Sequence, residues 1–259
     1  RSTLFPYTTL FRSLAEYDRK PVLKDPIFIE ALPGIGNVGK IAGDFVAGAL
    51  KAERFATIYS ENFPPQVVPD QECVVKMACN ELWHARGPKG RDIVFLRGDY
   101  QGGTPEGQFA LACDVMDVIL SFGVSTIITL GGYGTGLMPG EVHVFGAVSR
   151  RELKPALEKA GVTFRPGEPQ AGIVGASGAL VGLGQANGID SFCLMGETSG
   201  FFADQKSALA VIEVLRKILG IRRRLDLAEL EEQSRKIDEL AERVNSAEPA
   251  PAEDLNYIG

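Results

Sequence analysis

Three glycine-rich turns are where this sequence offers residues for chemistry. Gly34-Ile35-Gly36-Asn37-Val38-Gly39 is a literal GxGxxG between an apolar run at 27–32 and a stretch of helical period at 37–50. Glycines there permit positive φ and let a phosphate approach backbone N–H groups at a helix start. Glu61 stands 22 residues beyond Gly39, near where a ribose-binding carboxylate belongs. The other reading is a tight turn with close helix packing. Gly131-Gly132-Tyr133-Gly134-Thr135-Gly136 follows the apolar run 126–130, at the carboxyl end of a strand, where open α/β sheets place ligands. It has no lysine for a GxxxxGK(S/T) phosphate loop, and close passage of another backbone explains it equally. Gly196-Glu197-Thr198-Ser199-Gly200 follows the run 191–195. There Glu197 serves as a base or as a buried carboxylate tying loops together. On a ligand reading, Asn37, Tyr133, Glu197 and Thr198 are the polar contacts of a nucleotide or nucleoside, held between these loops.

Other chemistry has little support. There is no GxSxG elbow. The two histidines, His84 and His143, have no HxxxH or HxH companion, so no metal site, no cofactor and no catalytic residue is assigned. Cys73, Cys79, Cys113 and Cys193 are scattered without CxxC spacing and read as reduced thiols in a cytoplasmic setting, with Cys193 inert inside a strand. A net charge of −6 argues against nucleic acid or an anionic membrane surface as partner, and no apolar run is long enough to span a bilayer. A binding or assembly protein fits better than an enzyme.

The elements that must position these turns alternate. Strands are expected at 27–32, 56–59, 92–96, 126–130, 143–148, 171–174 and 191–195, with a hairpin from 72–78 and 81–86. Helices are expected at 37–50, 104–122, 152–160, 177–187 and 204–219, the second announced by Thr104-Pro105-Glu106. Such alternation implies a mostly parallel sheet with helices on both faces, in one α/β core over residues 14–224. Residues 225–245 carry Leu227, Leu230, Ile237, Leu240 and Val244 on one stripe among charges, the pattern of a helix packing on its own domain or on a partner. Residues 246–259 are a proline-rich linker ending in the apolar patch Leu255-Asn256-Tyr257-Ile258-Gly259. Residues 1–13, written back as codons, match a common sequencing-adapter oligonucleotide; they are expected to be an assembly artefact, the alternative being a disordered leader.

Taken in order, LPGIGNVGK (32–40), TLGGYGTG (129–136), GASGALVGLGQANGI (175–189) and CLMGETSGFFADQKSALAVIEVL (193–215) resemble the archaeal branch of the proteasome assembly chaperone family. The resemblance implies a three-layer α/β/α sandwich similar to nucleoside phosphorylases but without their catalysis. It also implies a homo-oligomer and proteasome α subunits as a partner. Family members that bind the proteasome end in hydrophobic–Tyr–any residue. Here Tyr257 comes one place earlier, so the docking residues implied are Leu255, Tyr257, Ile258 and Gly259 in an altered register. On this view Gly34, Gly36, Asn37, Gly39, Gly131, Gly132, Tyr133, Gly136, Gly196, Glu197 and Thr198 shape the core and its subunit contacts.

Overall fold

A computed structural model describes residues 13–137, 140–222 and 225–246. The chain runs through β1 (Leu14–Tyr17), β2 (Ile27–Ala31), α1 (Val38–Ala49), β3 (Glu53–Tyr59), β4 (Val67–Pro69), β5 (Val75–Met77) and β6 (Asn80–Arg86). It continues with β7 (Asp92–Gly98), α2 (Pro105–Ser121), β8 (Thr126–Gly134), β9 (Val144–Val148), α3 (Lys154–Ala160) and β10 (Val162–Thr163). The last elements are α4 (Gly175–Ala186), β11 (Asp190–Thr198), α5 (Gln205–Leu219) and α6 (Ala228–Ser246).

Nine strands form one sheet in the order β1-β3-β6-β7-β2-β8-β11-β9-β10. Its four central strands, β7, β2, β8 and β11, are parallel, and the sheet turns antiparallel on either side of them. The sheet is therefore mixed, with a four-strand parallel block in the middle and a second parallel pair, β9 and β10, at one edge. Both faces of that middle are apolar because alternate residues feed alternate layers. Ile27, Ile29, Ile93, Phe95, Ile128, Leu130, Phe192 and Leu194 pack with α1 and α5 on one face. Phe28, Val94, Leu96 and Ile127 pack with α2 and α4 on the other.

The helix starts are set by side chains. Thr104 Oγ1 accepts from Gly107 N at 3.0 Å, and Asp204 Oδ1 accepts from Ser207 N at 2.9 Å. Each such cap stabilises its helix by about 1 kcal/mol. Leu227 and Leu230 pack on the α1–α5 layer, so the first turns of α6 cover their own domain.

Three expectations need correction. The segment 72–78 does not pair with 81–86: β5 pairs with β4 as a separate ribbon, and β6 lies between β3 and β7. Leu82 decides this, because it is fully buried on β6 while Val75 and Met77 on β5 are exposed. Residues 171–174 form no strand, since Gly172 and Gly175 adopt φ of 76° and 77°, which no extended run tolerates. The edge strand β1 was not anticipated, and Ser13, grouped with the leader, already donates from its N to Asp114 Oδ2 at 3.2 Å. Residues 1–12 and 247–259 lie outside the described residues, and with them the tail Leu255, Tyr257, Ile258 and Gly259.

Candidate functional site

Since β2, β8 and β11 are parallel neighbours, their carboxyl ends share one edge, and all three glycine signatures arrive there. The first is consumed by the protein itself. Gly36 has φ of 60° and its carbonyl accepts from Asp204 N at 2.8 Å; Asn37 N donates to Gly34 O at 2.9 Å. A side chain at Gly39 would begin 2.1 Å from Leu130 O, so α1 rests directly on the backbone of β8. The second and third signatures are strand for most of their length, β8 ending at Gly134 and β11 at Thr198. Gly131, Gly132, Tyr133 and Gly134 lie in β8, opposite Met195, Gly196, Glu197 and Thr198 of β11. A Cβ on Gly132 would stand 2.3 Å from Ile35 O, and Thr198 Oγ1 donates to Asp204 Oδ2 at 2.6 Å. The starts of α1 and α5 are thus mortised into the ends of two strands.

This geometry removes the dinucleotide reading. Glu61 lies in an exposed turn after β3, and β6 and β7 separate β3 from β2. At about 4.8 Å per strand spacing, that carboxylate is far from the GxGxxG turn.

The same edge carries a cleft of about 710 Å³. Its floor is β8 from Leu130 to Gly134 together with Cys193 and Met195 of β11; its walls are Gly34 and Ile35, Gln101 and Gln108, and the segment 169–175 leading to Ser177 of α4. Of the residues picked from the sequence, Gly34, Gly131, Gly132 and Tyr133 meet here. Gly36, Asn37, Gly39, Gly136, Gly196, Glu197 and Thr198 do not line it. Glu197 turns instead to His143, whose Nδ1 lies 3.1 Å from its Oε2, and Ser207 Oγ donates to the Glu197 carbonyl. Tyr133 Oη donates to Glu168 Oε2 at 2.7 Å, and its ring lies 4.8 Å from that of Phe145.

Several residues of this site were missed. Gln101 bridges two walls, donating to Pro33 O at 2.6 Å and accepting from Ala176 N at 2.9 Å. Beneath the floor lies Glu30, fully buried on β2. Its Oε1 accepts from Leu32 N at 3.0 Å and its Oε2 bonds Ser177 Oγ at 2.7 Å. Burial pushes its carboxyl up to about 7, against the pull of the hydrogen bonds from Ser177 and the backbone. The signal was there: one acid inside the apolar run IFIEAL. Burial also pushes the Cys193 thiol up to about 12, leaving it neutral packing, as its place in the strand suggested.

The fold and its carboxyl-edge cleft thus define a three-layer α/β/α protein whose glycine signatures are joints of the architecture. Residues 28–245 match the model of the PAC2 family. The chain belongs to that family, the proteasome assembly chaperone family that the ordered motifs had indicated. It is 34% identical over 247 residues to protein MJ1210 of Methanocaldococcus jannaschii, covering 92% of this chain and 93% of that one. Among solved structures it is similar to Pyrococcus furiosus PbaB, described as an archaeal proteasome activator, with a TM-score of 0.84 and 35% identity over 90% of this chain and 99% of that one. It is also similar to Pyrococcus furiosus PbaA, described as an archaeal homolog of proteasome-assembly chaperone, with a TM-score of 0.74 and 26% identity over 90% and 92%.

Proposed function

We propose that this chain is a non-catalytic, homo-oligomeric binding protein of the cytoplasm that docks on proteasome α subunits. The observation that carries the reading is the likeness to PbaB across nearly the whole of both chains. In this reading residues 14–224 are the core, 225–245 the helix, and 246–259 a linker that presents Leu255, Tyr257, Ile258 and Gly259. The tail supplies apolar and aromatic contact area at the end of a tether, the kind of anchor that enters a pocket between two subunits. Capture of the chain by immobilised archaeal-type proteasome α subunits tests it. Deletion of residues 255–259 is expected to abolish capture while leaving the thermal midpoint unchanged. Undiminished capture by the truncated chain would remove the tail from the mechanism.

A surface favouring subunit contact lies on the β4–β5 ribbon. Val67 pairs with Met77 and Pro69 with Val75, so one face of the ribbon is apolar. Val67, Val75 and Met77 are more than half exposed, and contiguous exposed apolar residues of this kind mark interaction sites. The double variant Val75→Lys, Met77→Lys is expected to shift the chain towards monomer in native mass spectrometry, with its far-ultraviolet spectrum intact. An unchanged oligomer distribution would place the interface elsewhere.

A further inference from the structure

The carboxyl-edge cleft has features that an architectural joint does not require. Among the described residues no Asp, Glu, Lys, Arg or His lines it; Glu168, outside the lining, accepts from the Tyr133 phenol. Its polar groups are instead neutral: the carboxamides of Gln101, Gln108 and Gln170, the Tyr133 phenol and the Ser177 hydroxyl. Its volume of about 710 Å³ lies within the roughly 300–1,000 Å³ typical of small-molecule sites. The floor is bare at Gly131, where a Cβ would find only ordinary contacts, 3.9 Å from Met195 Cγ and from Ser177 Oγ. A strand position with room for a side chain and none present leaves a flat peptide surface open to the cleft.

Ser177 is the polar group with a device behind it. Its Oγ sits 2.7 Å from Glu30 Oε2, and Glu30 is wholly buried beneath the cleft. When Glu30 is ionised, the Ser177 proton is committed to the carboxylate. When Glu30 is protonated, it can donate to Ser177 Oγ, and the serine proton is released to the Leu130 carbonyl, 3.4 Å away, or to a better-placed acceptor in the cleft. The titratable group facing Glu30 from β11 is the Cys193 thiol, which burial keeps neutral. From α4 it faces Ser177, from β8 the Leu130 backbone, and from its own strand end the Leu32 N–H.

We propose that this cleft is a binding site for an uncharged, planar, carbonyl-bearing small molecule, which stacks over Gly131 and accepts a hydrogen bond from Ser177. An anion or cation would surrender its hydration to a lining that returns no opposite charge, and that cost disfavours charged ligands of the same shape. Because the accepting carbonyl needs the free serine proton, binding is tighter when Glu30 is protonated. Tail deletion is expected to leave probe binding unchanged, which separates a failure of this site from a failure of the docking reading.

Three probes of one size separate these features: acetophenone, benzoate and benzamidinium, followed by saturation-transfer NMR on the full chain. Acetophenone is expected to bind, with the charged pair weaker by about tenfold or more. Gly131→Leu, which fills the floor, is expected to abolish the acetophenone signal with the fold confirmed by its thermal midpoint. Ser177→Ala, which cannot fail by overpacking, is expected to weaken acetophenone by up to about tenfold at pH 6 and to remove the loss of affinity between pH 6 and 8. The proposal is overturned if none of the probes binds, if the charged probes bind as well as the neutral one, or if Ser177→Ala leaves affinity and its pH slope untouched.

Discussion

Gly39→Ala is expected to destabilise the chain by about 3 kcal/mol and lower its thermal midpoint by roughly 6–12 °C, although alanine is the better helix former. The added methyl would begin 2.1 Å from Leu130 O and 2.6 Å from the Leu130 carbonyl carbon. Those atoms belong to the backbone of a central strand held on both sides, so they cannot yield as a flexible side chain would. Instead α1 must lift, and Val38, Ala42 and Val46 on its buried face lose their packing. Gly48→Ala on the same helix is the internal control. It is exposed with nothing within 4 Å of the new Cβ, so the same substitution is expected to stabilise by about 0.5–1 kcal/mol. A midpoint for Gly39→Ala equal to that of the parent would mean that α1 does not rest on β8, and the joint described above would not exist.

That contrast shows what the sequence held and what it withheld. The helix starts were legible because a cap is local: Thr104 and Asp204 each bond an N–H three residues away. The central strands were legible because burial on both faces leaves apolar runs such as 27–32, broken there by Glu30 alone. Pairing was not legible. The segments 72–78 and 81–86 are close in sequence, yet β6 buries Leu82 between β3 and β7, and only the sheet as a whole chooses those neighbours.

The glycine signatures are harder still, because glycine leaves the same trace whether a phosphate or another backbone comes close. Gly39 and Gly132 are occupied by Leu130 O and Ile35 O, whereas Gly131, one residue from Gly132, is open to the cleft. The alternation of strand faces separates these two fates, and it becomes visible only once Gly131 and Gly132 are known to lie in β8 rather than in a loop. Gln101 and Ser177 were passed over for a related reason: each is an ordinary polar residue that matters through partners 68 and 147 positions away. Glu30 alone carried a visible flag, an acid among apolar neighbours, without any sign of what it served.

Glu30→Gln is expected to make the chain more stable at pH 8 by about 3 kcal/mol, with no comparable gain near pH 4.5. The sign follows from the direction of the shift. Burial lifts the folded-state carboxyl from the ordinary 4.5 to about 7, so between these values the native chain keeps a proton that the unfolded chain has released. Stability therefore falls as pH rises through that window, levels off above about 7, and is not lost on acidification by way of this group. Glutamine preserves the shape: its carbonyl can accept from Leu32 N as Oε1 does, and its amide can donate to Ser177 Oγ in place of the bond that Oε2 now accepts from it. Urea midpoints of parent and variant from pH 4.5 to 8 give the difference directly, since every other titrating group is common to both. Curves that run parallel would mean that Glu30 is ionised without cost in the fold. Ser177 would then have no proton to release, and the pH slope expected for the cleft would disappear with it.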